Sequence, residues 1–221
     1  MTKVNKNDAL KYIEGHRIHM LLISILMLVF GPAFIGAHNE LVDFYVKFSF
    51  LLIVISCFLI IRKHGVIRYV SILTFLFIII DTFLESEILN YISQVGLSFL
   101  IFYAFTLVLK EAMTINEDTN NMILISITGY LIIGLIGGLV AAGLGHFYPD
   151  SYYHSTGLEL GLFNYIYYSF VTMTTLGYGD IIPVTEPSQS LAVMLVIVGQ
   201  LFLSIIIGMN IANFMNKRKS K

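Results

Sequence analysis

The chain has 221 residues, of which 57% are hydrophobic and 12% are charged, and its formal net charge is −1 at pH 7. Because a soluble domain carries about 25% charged residues, this composition predicts a membrane protein and argues against a nucleic-acid partner. The single cysteine, Cys57, excludes an internal disulfide and argues against a thiolate metal site. We expect neither an enzyme nor a bound cofactor.

Six apolar segments are long enough for a transmembrane helix, which needs about 20 apolar residues. They predict an all-α membrane protein with spans at residues 19–37, 44–61, 66–84, 88–109, 122–147 and 187–215. A seventh apolar segment, 160–173, is too short to cross a bilayer at about 1.5 Å per residue. It predicts a re-entrant helix followed by an extended loop, which is tolerated only where it is buried in protein or lines a cavity.

The first four spans contain features that predict local structure. Gly31-Pro32 predicts a kink near the end of the first span. Lys47 lies near the start of the second span, where its long side chain is expected to reach the membrane interface. Asp81 is interpreted as an interfacial residue at the end of the third span, with burial among the helices as the alternative. Residues 85–87 predict a tight antiparallel hairpin between the third and fourth spans.

Lysine and arginine predict the orientation of the chain, because they are enriched in cytoplasmic segments. With a cytoplasmic N-terminus, twelve of the thirteen fall in cytoplasmic segments and only Lys47 falls outside. We therefore expect a multi-pass protein of the plasma membrane with both termini in the cytoplasm. Acidic residues show the reverse bias, either because the cytoplasmic leaflet is negative or because they form an outer vestibule that concentrates cations. The residues expected in that vestibule are Asp150, Glu159, Asp180 and Glu186.

A glycine-rich polar stretch, Thr172–Asp180, lies between the re-entrant segment and the last span. A cation that loses its water needs other oxygens, and consecutive backbone carbonyls supply them if the chain alternates between ordinary and positive φ. Gly177 and Gly179 permit this alternation, and Thr175 adds a side-chain hydroxyl. One chain provides one wall, so a closed ring of oxygens needs several copies around an axis.

The residues around this stretch are predicted to support it. The re-entrant helix directs the negative end of its dipole toward a cation at the membrane centre. Thr174 is expected to form a local hydrogen bond, and Tyr178 is expected to turn outward and pack against Tyr167 and Tyr168. Asp180 is expected to act as a brace and as an outer charge.

The sequence Thr175-Leu-Gly-Tyr-Gly179 resembles the selectivity filter of potassium channels, in which Val is common where Leu176 stands here. The resemblance extends over about Met122–Met215 and is strongest over Ser169–Ile181. It implies a homotetramer that conducts potassium ions as the permeant ligand. The potassium sites that it implies are the backbone carbonyls of Thr175, Leu176, Gly177 and Tyr178 and the hydroxyl of Thr175, with Gly179 completing the filter.

The last span begins after Thr185, a predicted helix cap, with Pro187 in its first turn. Gly199 lies where potassium channels often have a hinge glycine, and Gly208 is a second candidate hinge. Close packing of small residues between helices is the alternative explanation for either glycine. Helical spacing from Gly199 predicts a cavity face that comprises Gln200, Leu203, Ile207 and Ile211.

Six spans with the filter before the last one also resemble the voltage-gated potassium channels, whose fourth span carries regularly spaced arginines. Residues 88–109 contain no lysine or arginine, so we expect no conventional voltage sensor and no regulatory domain after the last span. Attraction to anionic membrane lipids is one explanation of the basic tail, and the orientation of the chain explains it equally well. The expected organisation is a cytoplasmic N-terminal segment (1–18), a four-helix domain (19–113), a cytoplasmic linker (114–121), a pore domain (122–215) and a basic tail (216–221).

Several alternatives to a potassium-selective channel stay open on the sequence. A weakly selective cation channel is disfavoured because Tyr178 is intact, and a potassium transporter is disfavoured because such chains usually carry four degenerate filters. A modulatory subunit that only co-assembles with a channel or transporter is disfavoured by the complete filter. His146 and His154 are candidate sensors of external pH, although histidines in surface loops more often have no such role.

Overall fold

The computed structural model describes residues 6–35, 39–61, 65–84, 87–112, 119–157 and 159–219. Within these ranges the chain is largely helical, which confirms the prediction of an all-α fold except for two short strands. The elements are α1 (Lys6–Phe30), α2 (Pro32–Ile35), α3 (Asn39–Ile60), α4 (Gly65–Leu84), α5 (Glu87–Ala112), α6 (Thr119–Phe147), β1 (Tyr152–His154), α7 (Leu162–Met173), β2 (Ile181–Pro183) and α8 (Glu186–Lys219).

Five helical segments in the described ranges are long and apolar enough to cross a membrane: Leu41–Ile60, Gly65–Leu84, Ile88–Lys110, Ile123–Phe147 and Glu186–Ile206. The first predicted span, 19–37, is interrupted. Its apolar helical part is the shorter segment Arg17–Phe30, after which Pro32 begins a separate helix.

The break in the first span has a local cause. Pro32 lacks the N–H that would continue the helix of α1. The hydroxyl of Tyr45 donates a hydrogen bond to the carbonyl oxygen of Met27 at 2.8 Å. A Cβ at Gly31 would lie 1.9 Å from that hydroxyl oxygen, so only glycine leaves room for it. The kink predicted at Gly31-Pro32 is therefore present as a helix break.

Two other helix boundaries differ from the predicted ones. Helix α6 begins at Thr119, so the last residues of the predicted linker are helical, while residues 113–118 lie outside the described part of the chain. Helix α8 continues to Lys219, beyond the predicted end at residue 215. Basic residues are favourable in the last turn of a helix because they complement its dipole, which explains why the basic tail extends α8.

The chain divides into two compact units, Met1–Leu107 and Val108–Lys221. In the first unit α3 packs against α1 and α4. Leu21, Ile25 and Leu28 are buried at helical spacing on α1. Lipid is as apolar as these side chains, so van der Waals packing and interhelical hydrogen bonds hold spans together in a membrane. One such bond joins the hydroxyls of Ser24 and Ser56 at 3.1 Å.

The first unit also contains a buried ion pair between α3 and α4. The Lys47 Nζ atom lies 2.8 Å from Asp81 Oδ2, and Asp81 is only 2% exposed. The interpretation of Asp81 as interfacial is therefore wrong, and Lys47 reaches this carboxylate instead of extending freely to the interface. A carboxylate inside a membrane protein needs a counter-charge, and Lys47 supplies it. The second oxygen, Asp81 Oδ1, is buried without a hydrogen-bond partner among the described residues.

Helices α4 and α5 approach each other closely at Gly96. A Cβ at this position would lie 2.6 Å from the Thr74 hydroxyl oxygen, so the absence of a side chain permits the contact. Residues 85–86 of the predicted hairpin lie outside the described part of the chain.

In the second unit α6, α7 and α8 pack against one another. Gly134 and Gly138 of α6 form a small-residue face, the kind of surface that lets helices approach closely in membranes. A Cβ at Gly134 would lie 2.4 Å from the Phe170 ring, and one at Gly138 would lie 2.6 Å from the Ile166 Cα. Helix α7 is therefore seated directly on the backbone of α6.

Candidate functional site

Helix α7 positions the glycine-rich stretch that follows it. It runs from Leu162 to Met173, close to the predicted re-entrant segment 160–173, and its length of about 18 Å is well short of the roughly 30 Å of a bilayer core. Its first turn is capped by the Asn164 side chain, whose Oδ1 accepts the Gly161 N–H at 3.0 Å.

The buried face of α7 fixes the end of the helix. Ile166, Ser169 and Met173 are buried at helical spacing. The Ser169 hydroxyl donates a 2.7 Å hydrogen bond to the Gly134 carbonyl of α6. Met173 is fully buried, and its side chain and carbonyl lie directly against Gly199 of α8. The last turn of α7 is therefore held from two sides, immediately before the predicted filter.

Positive φ angles recur at every second residue of the predicted filter, Thr175–Gly179. Thr175 has a φ of 61°, Gly177 of 58° and Gly179 of 79°, while Leu176 and Tyr178 do not have positive φ. The alternation predicted from the two glycines is therefore present. Thr175 adds a third positive φ to the alternation, which the sequence did not predict because β-branched residues rarely adopt this conformation. A positive φ at such a residue costs about 1–3 kcal/mol.

Hydrogen bonds from the last turn of α7 compensate for this conformation. The Thr175 N–H donates to the Thr172 carbonyl at 2.9 Å. The Leu176 and Gly177 N–H groups both donate to the Val171 carbonyl, at 3.0 and 3.2 Å. The hydroxyl of Thr174 donates to the Phe170 carbonyl at 2.7 Å, which is the local hydrogen bond expected of it.

The carbonyl oxygens of the filter have no such partners. Those of Thr175, Leu176, Gly177 and Tyr178 accept no hydrogen bond from any residue that the structure describes. Backbone carbonyls that protein groups do not pair must find water, an ion or another group as a partner, and these four lie on exposed residues. Such a row of oxygens suits a cation.

The outer end of the filter is fastened at Asp180. The Tyr167 hydroxyl donates a 2.8 Å hydrogen bond to Asp180 Oδ2, as expected of a bracing pair, and the Ser155 N–H donates to the Asp180 carbonyl at 2.8 Å. Partial burial, the hydrogen bond to Asp180 and the charge of that carboxylate raise the pKa of Tyr167 to about 12. Tyr167 therefore remains a hydrogen-bond donor throughout the physiological pH range.

Two short strands tie the loop before α7 to the segment after the filter. Strand β1 pairs with β2 in antiparallel register, with His154 opposite Ile181 and Tyr152 opposite Pro183. The Ser188 hydroxyl of α8 donates to the Ser151 carbonyl at 2.8 Å and accepts the N–H of the cap residue Thr185 at 3.1 Å. The start of α8 and both flanks of the predicted filter thus form one connected structure. The strands could not be predicted from the sequence, because three residues are too few to show an alternating pattern.

A tyrosine cluster lies behind β1. The Tyr152 ring contacts those of Tyr165 and Tyr168, with centroids 5.3 and 5.1 Å apart. Burial and the two neighbouring tyrosines raise the pKa of Tyr152. The packing expected between Tyr178 and Tyr168 is not seen within one chain, because Tyr168 turns to Tyr152 and Tyr178 stays 67% exposed.

The two candidate hinge glycines of α8 differ. A Cβ at Gly199 would lie 2.5 Å from Met173 Cγ and 2.9 Å from the Met173 carbonyl oxygen, whereas one at Gly208 would meet no atom within 4 Å. Close packing therefore accounts for Gly199. On the predicted cavity face Gln200 is exposed and Leu203 is half-buried, while the side chains of Ile207 and Ile211 lie outside the described part of the structure.

The four acids of the predicted vestibule lie in the segments that flank the filter. Asp150, Glu159 and Glu186 are exposed, and Asp180 is half-buried against Tyr167. The ring of His154 is engaged by the adjacent turn, since its Nδ1 accepts the Thr156 N–H at 3.1 Å. His146 is exposed at the end of α6.

Comparison with known families places this site in context. Residues 125–216, from α6 to α8, match a family model described as "Ion channel". No curated protein matches the chain. The matched segment contains α7, the alternating filter backbone and the Asp180 brace, and together with the apolar helices it supports an ion channel in a membrane.

Proposed function

We propose that this protein is a potassium-selective channel that conducts K⁺ passively across the plasma membrane as a homotetramer, with both termini in the cytoplasm. The observation that carries the proposal is the filter backbone. Positive φ at Thr175, Gly177 and Gly179 combines with four consecutive carbonyls that no described residue uses as acceptors. The amino-acid sequence over these positions resembles that of potassium-channel filters.

The filter chemistry follows from replacement of water by backbone oxygen. A K⁺ ion that leaves water recovers its coordination from carbonyls of the filter and, at the inner end, from the Thr175 hydroxyl. Several equivalent sites in a row hold an ion weakly enough for it to move on. The C-terminal end of α7 directs the negative end of its dipole at the same region, which favours a cation there.

The proposal requires more than one chain. A single chain offers one row of oxygens, whereas an ion must be surrounded. Leu176 is 55% exposed and Tyr178 is 67% exposed in one chain, and the neighbouring residues from Thr174 to Gly179 are exposed as well. Neighbouring copies around a fourfold axis would cover these side chains, and cyclic symmetry closes such an assembly.

Opening is proposed not to depend on a conventional voltage sensor. A helix that moves in the membrane field needs several charges, and about 3–4 per subunit make opening steeply voltage-dependent. Helix α5 carries none between Ile88 and Leu109. Within the spans of the first unit, the charges of Lys47 and Asp81 neutralise each other in an ion pair.

The test is ion flux through liposomes that contain only this protein, measured for K⁺ and for Na⁺. We expect K⁺ flux far in excess of Na⁺ flux. The Gly177→Ala substitution places a side chain at a φ of 58° and should abolish selective flux. Gly157→Ala is the matched control, because Gly157 has a φ of 69° in open space outside the filter and its substitution should preserve the K⁺ to Na⁺ ratio.

The outcomes separate this proposal from its alternatives. Equal K⁺ and Na⁺ flux would indicate a weakly selective cation channel. Absence of flux from the protein alone, with flux on co-reconstitution with another channel subunit, would indicate a modulatory subunit. Loss of selectivity in Gly157→Ala as severe as in Gly177→Ala would show that the filter backbone is not the selective element.

A further inference from the structure

An apolar groove lies on the first unit between α3 and α4. It has a volume of about 200 Å³, and its lining is Val54, Ile55, Phe58, Ser71, Ile72 and Phe75. The one polar side chain, Ser71, is 1% exposed and donates its hydroxyl to the Ile67 carbonyl of its own helix at 3.1 Å. The surface that the groove presents is therefore entirely apolar, and it lies along two of the membrane-spanning helices.

One end of the groove carries a positive charge. The guanidinium carbon of Arg68 lies 5.0 Å from the centroid of the Phe58 ring, which is within the range of a cation–π contact. Arg68 is exposed, and no carboxylate among the described residues pairs with it. A guanidinium held over an aromatic ring in this way can present N–H groups to an anion such as a phosphate and bind it in a bidentate manner.

The depth of the arginine matches that of a lipid headgroup. Arg68 lies in the first turn of α4, which begins at Gly65, and Phe58 lies in the last turn of α3, which ends at Ile60. The groove then extends from this end of the spans toward their middle. Phe75 follows Arg68 by seven positions, which correspond to about 10 Å of helix. An acyl chain of a phospholipid whose phosphate binds Arg68 would therefore lie along the groove.

We propose that this groove binds one anionic phospholipid, with an acyl chain between α3 and α4 and the headgroup phosphate at Arg68. A helix of a second protein chain is about 10–12 Å wide with its side chains and does not fit a groove of about 200 Å³. An anionic lipid is favoured over a zwitterionic one because no described carboxylate balances the charge of Arg68, whereas a zwitterionic headgroup brings its own cation. This site differs from the basic C-terminal tail and does not depend on ion conduction.

The chain contains no tryptophan, so a Phe75→Trp variant reports on the groove alone. The full-length variant is reconstituted in phosphatidylcholine vesicles that contain increasing fractions of phosphatidylglycerol with brominated acyl chains, and tryptophan quenching is recorded. The same titration is repeated with brominated phosphatidylcholine. We expect half-maximal quenching at an about fivefold lower fraction of the anionic lipid, which corresponds to ~1 kcal/mol for one basic side chain.

Substitutions at Arg68 then test the headgroup contact. Arg68→Gln in the Phe75→Trp background should equalise the two titrations, and Arg68→Lys, which keeps the charge without the planar stack, should give an intermediate ratio. Lys110→Gln removes an exposed charge at the end of α5 and should preserve the preference. Equal quenching by both lipids before any change at Arg68 would overturn the proposal, as would loss of the preference in Lys110→Gln. Absence of quenching by either lipid would also overturn it, because the groove would then be covered by protein.

Discussion

The two units of the chain stabilise their buried polar groups in different ways. Two polar contacts between helices of the first unit join one side chain to another, the Lys47–Asp81 ion pair and the Ser24–Ser56 hydrogen bond. In the second unit, buried hydroxyls bind main-chain carbonyls of other elements, as Ser169 does at Gly134. Side-chain pairs hold helices together without forming bonds to the backbone, which keeps its regular helical conformation. Bonds to the main chain fix the path of the backbone itself, which the proposed filter of carbonyls requires.

The largest effect is expected from breaking the ion pair of the first unit. Lys47→Met would leave Asp81 as an unpaired buried charge and should cost about 3–5 kcal/mol of stability. Asp81→Leu in the Lys47→Met background should restore most of that loss, because the double variant leaves no unpaired charge. Denaturation of the purified protein in detergent measures the stability. A double variant no more stable than Lys47→Met would contradict the role assigned to the pair.

The same pair of variants sharpens the comparison when ion flux is measured. If the first unit is only a scaffold held by side-chain contacts, Lys47→Met should lower the amount of functional protein and leave the K⁺ to Na⁺ ratio unchanged. A changed ratio would show that the ion pair influences the filter.

A smaller effect is expected at the contact between α7 and α8. Gly199→Ala introduces a methyl group 2.5 Å from Met173 Cγ and 2.9 Å from its carbonyl oxygen, and such overpacking should cost about 1–3 kcal/mol. Because Met173 ends the helix that carries the filter, K⁺ selectivity should also fall. Gly208→Ala is the matched control, since its Cβ meets no atom within 4 Å. Equal behaviour of the two variants in stability and flux assays would refute the packing role of Gly199.

The smallest effect is expected from the brace at the outer end of the filter. Tyr167→Phe removes the hydrogen bond to Asp180, which should cost about 1 kcal/mol because the pair is only partly buried. The native structure raises the pKa of Tyr167 from 10 to about 12. The proton is therefore held more tightly in the folded protein, and the contribution is complete below pH 10 and is lost as the pH rises from 10 to 12.

Alkaline titration of stability and selectivity measures this effect. Stability and selectivity of the unsubstituted protein should decrease between pH 10 and 12. Tyr167→Phe should show a weaker decrease in that window because it lacks the titrating hydroxyl. Identical profiles for the two proteins would show that the loss at high pH comes from other groups.

Features that depend on local sequence could be predicted. The glycines at positions 177 and 179 predicted the alternating backbone, because positive φ is a property of single residues. The short apolar segment before them predicted a separate helix, and α7 confirms it. The potassium sites, the tetramer and the orientation in the membrane stay predictions.

Features that depend on contacts between residues far apart in the chain could not be predicted from the sequence. The ion pair joins Lys47 to a residue 34 positions away, and no local pattern distinguishes an interfacial Asp81 from a buried one. The positive φ of Thr175 contradicts the preference of that residue and is imposed by hydrogen bonds to α7. Tyr168 had two possible aromatic neighbours, and the strand pairing that brings Tyr152 to it decides the outcome.

The anchors at both ends of the filter have a consequence for its length. Thr175 is bound to the last turn of α7 and Asp180 is bound through its carbonyl to Ser155, so the residues between them form a segment of fixed count. Along this segment, residues with positive φ alternate with residues that do not have positive φ. Inserting or deleting a single residue would therefore shift this alternation by one position. Bulky side chains would then occupy the positions with positive φ, and glycines would occupy the others. Inserting or deleting two residues would keep the alternation in register but would add or remove two backbone carbonyls.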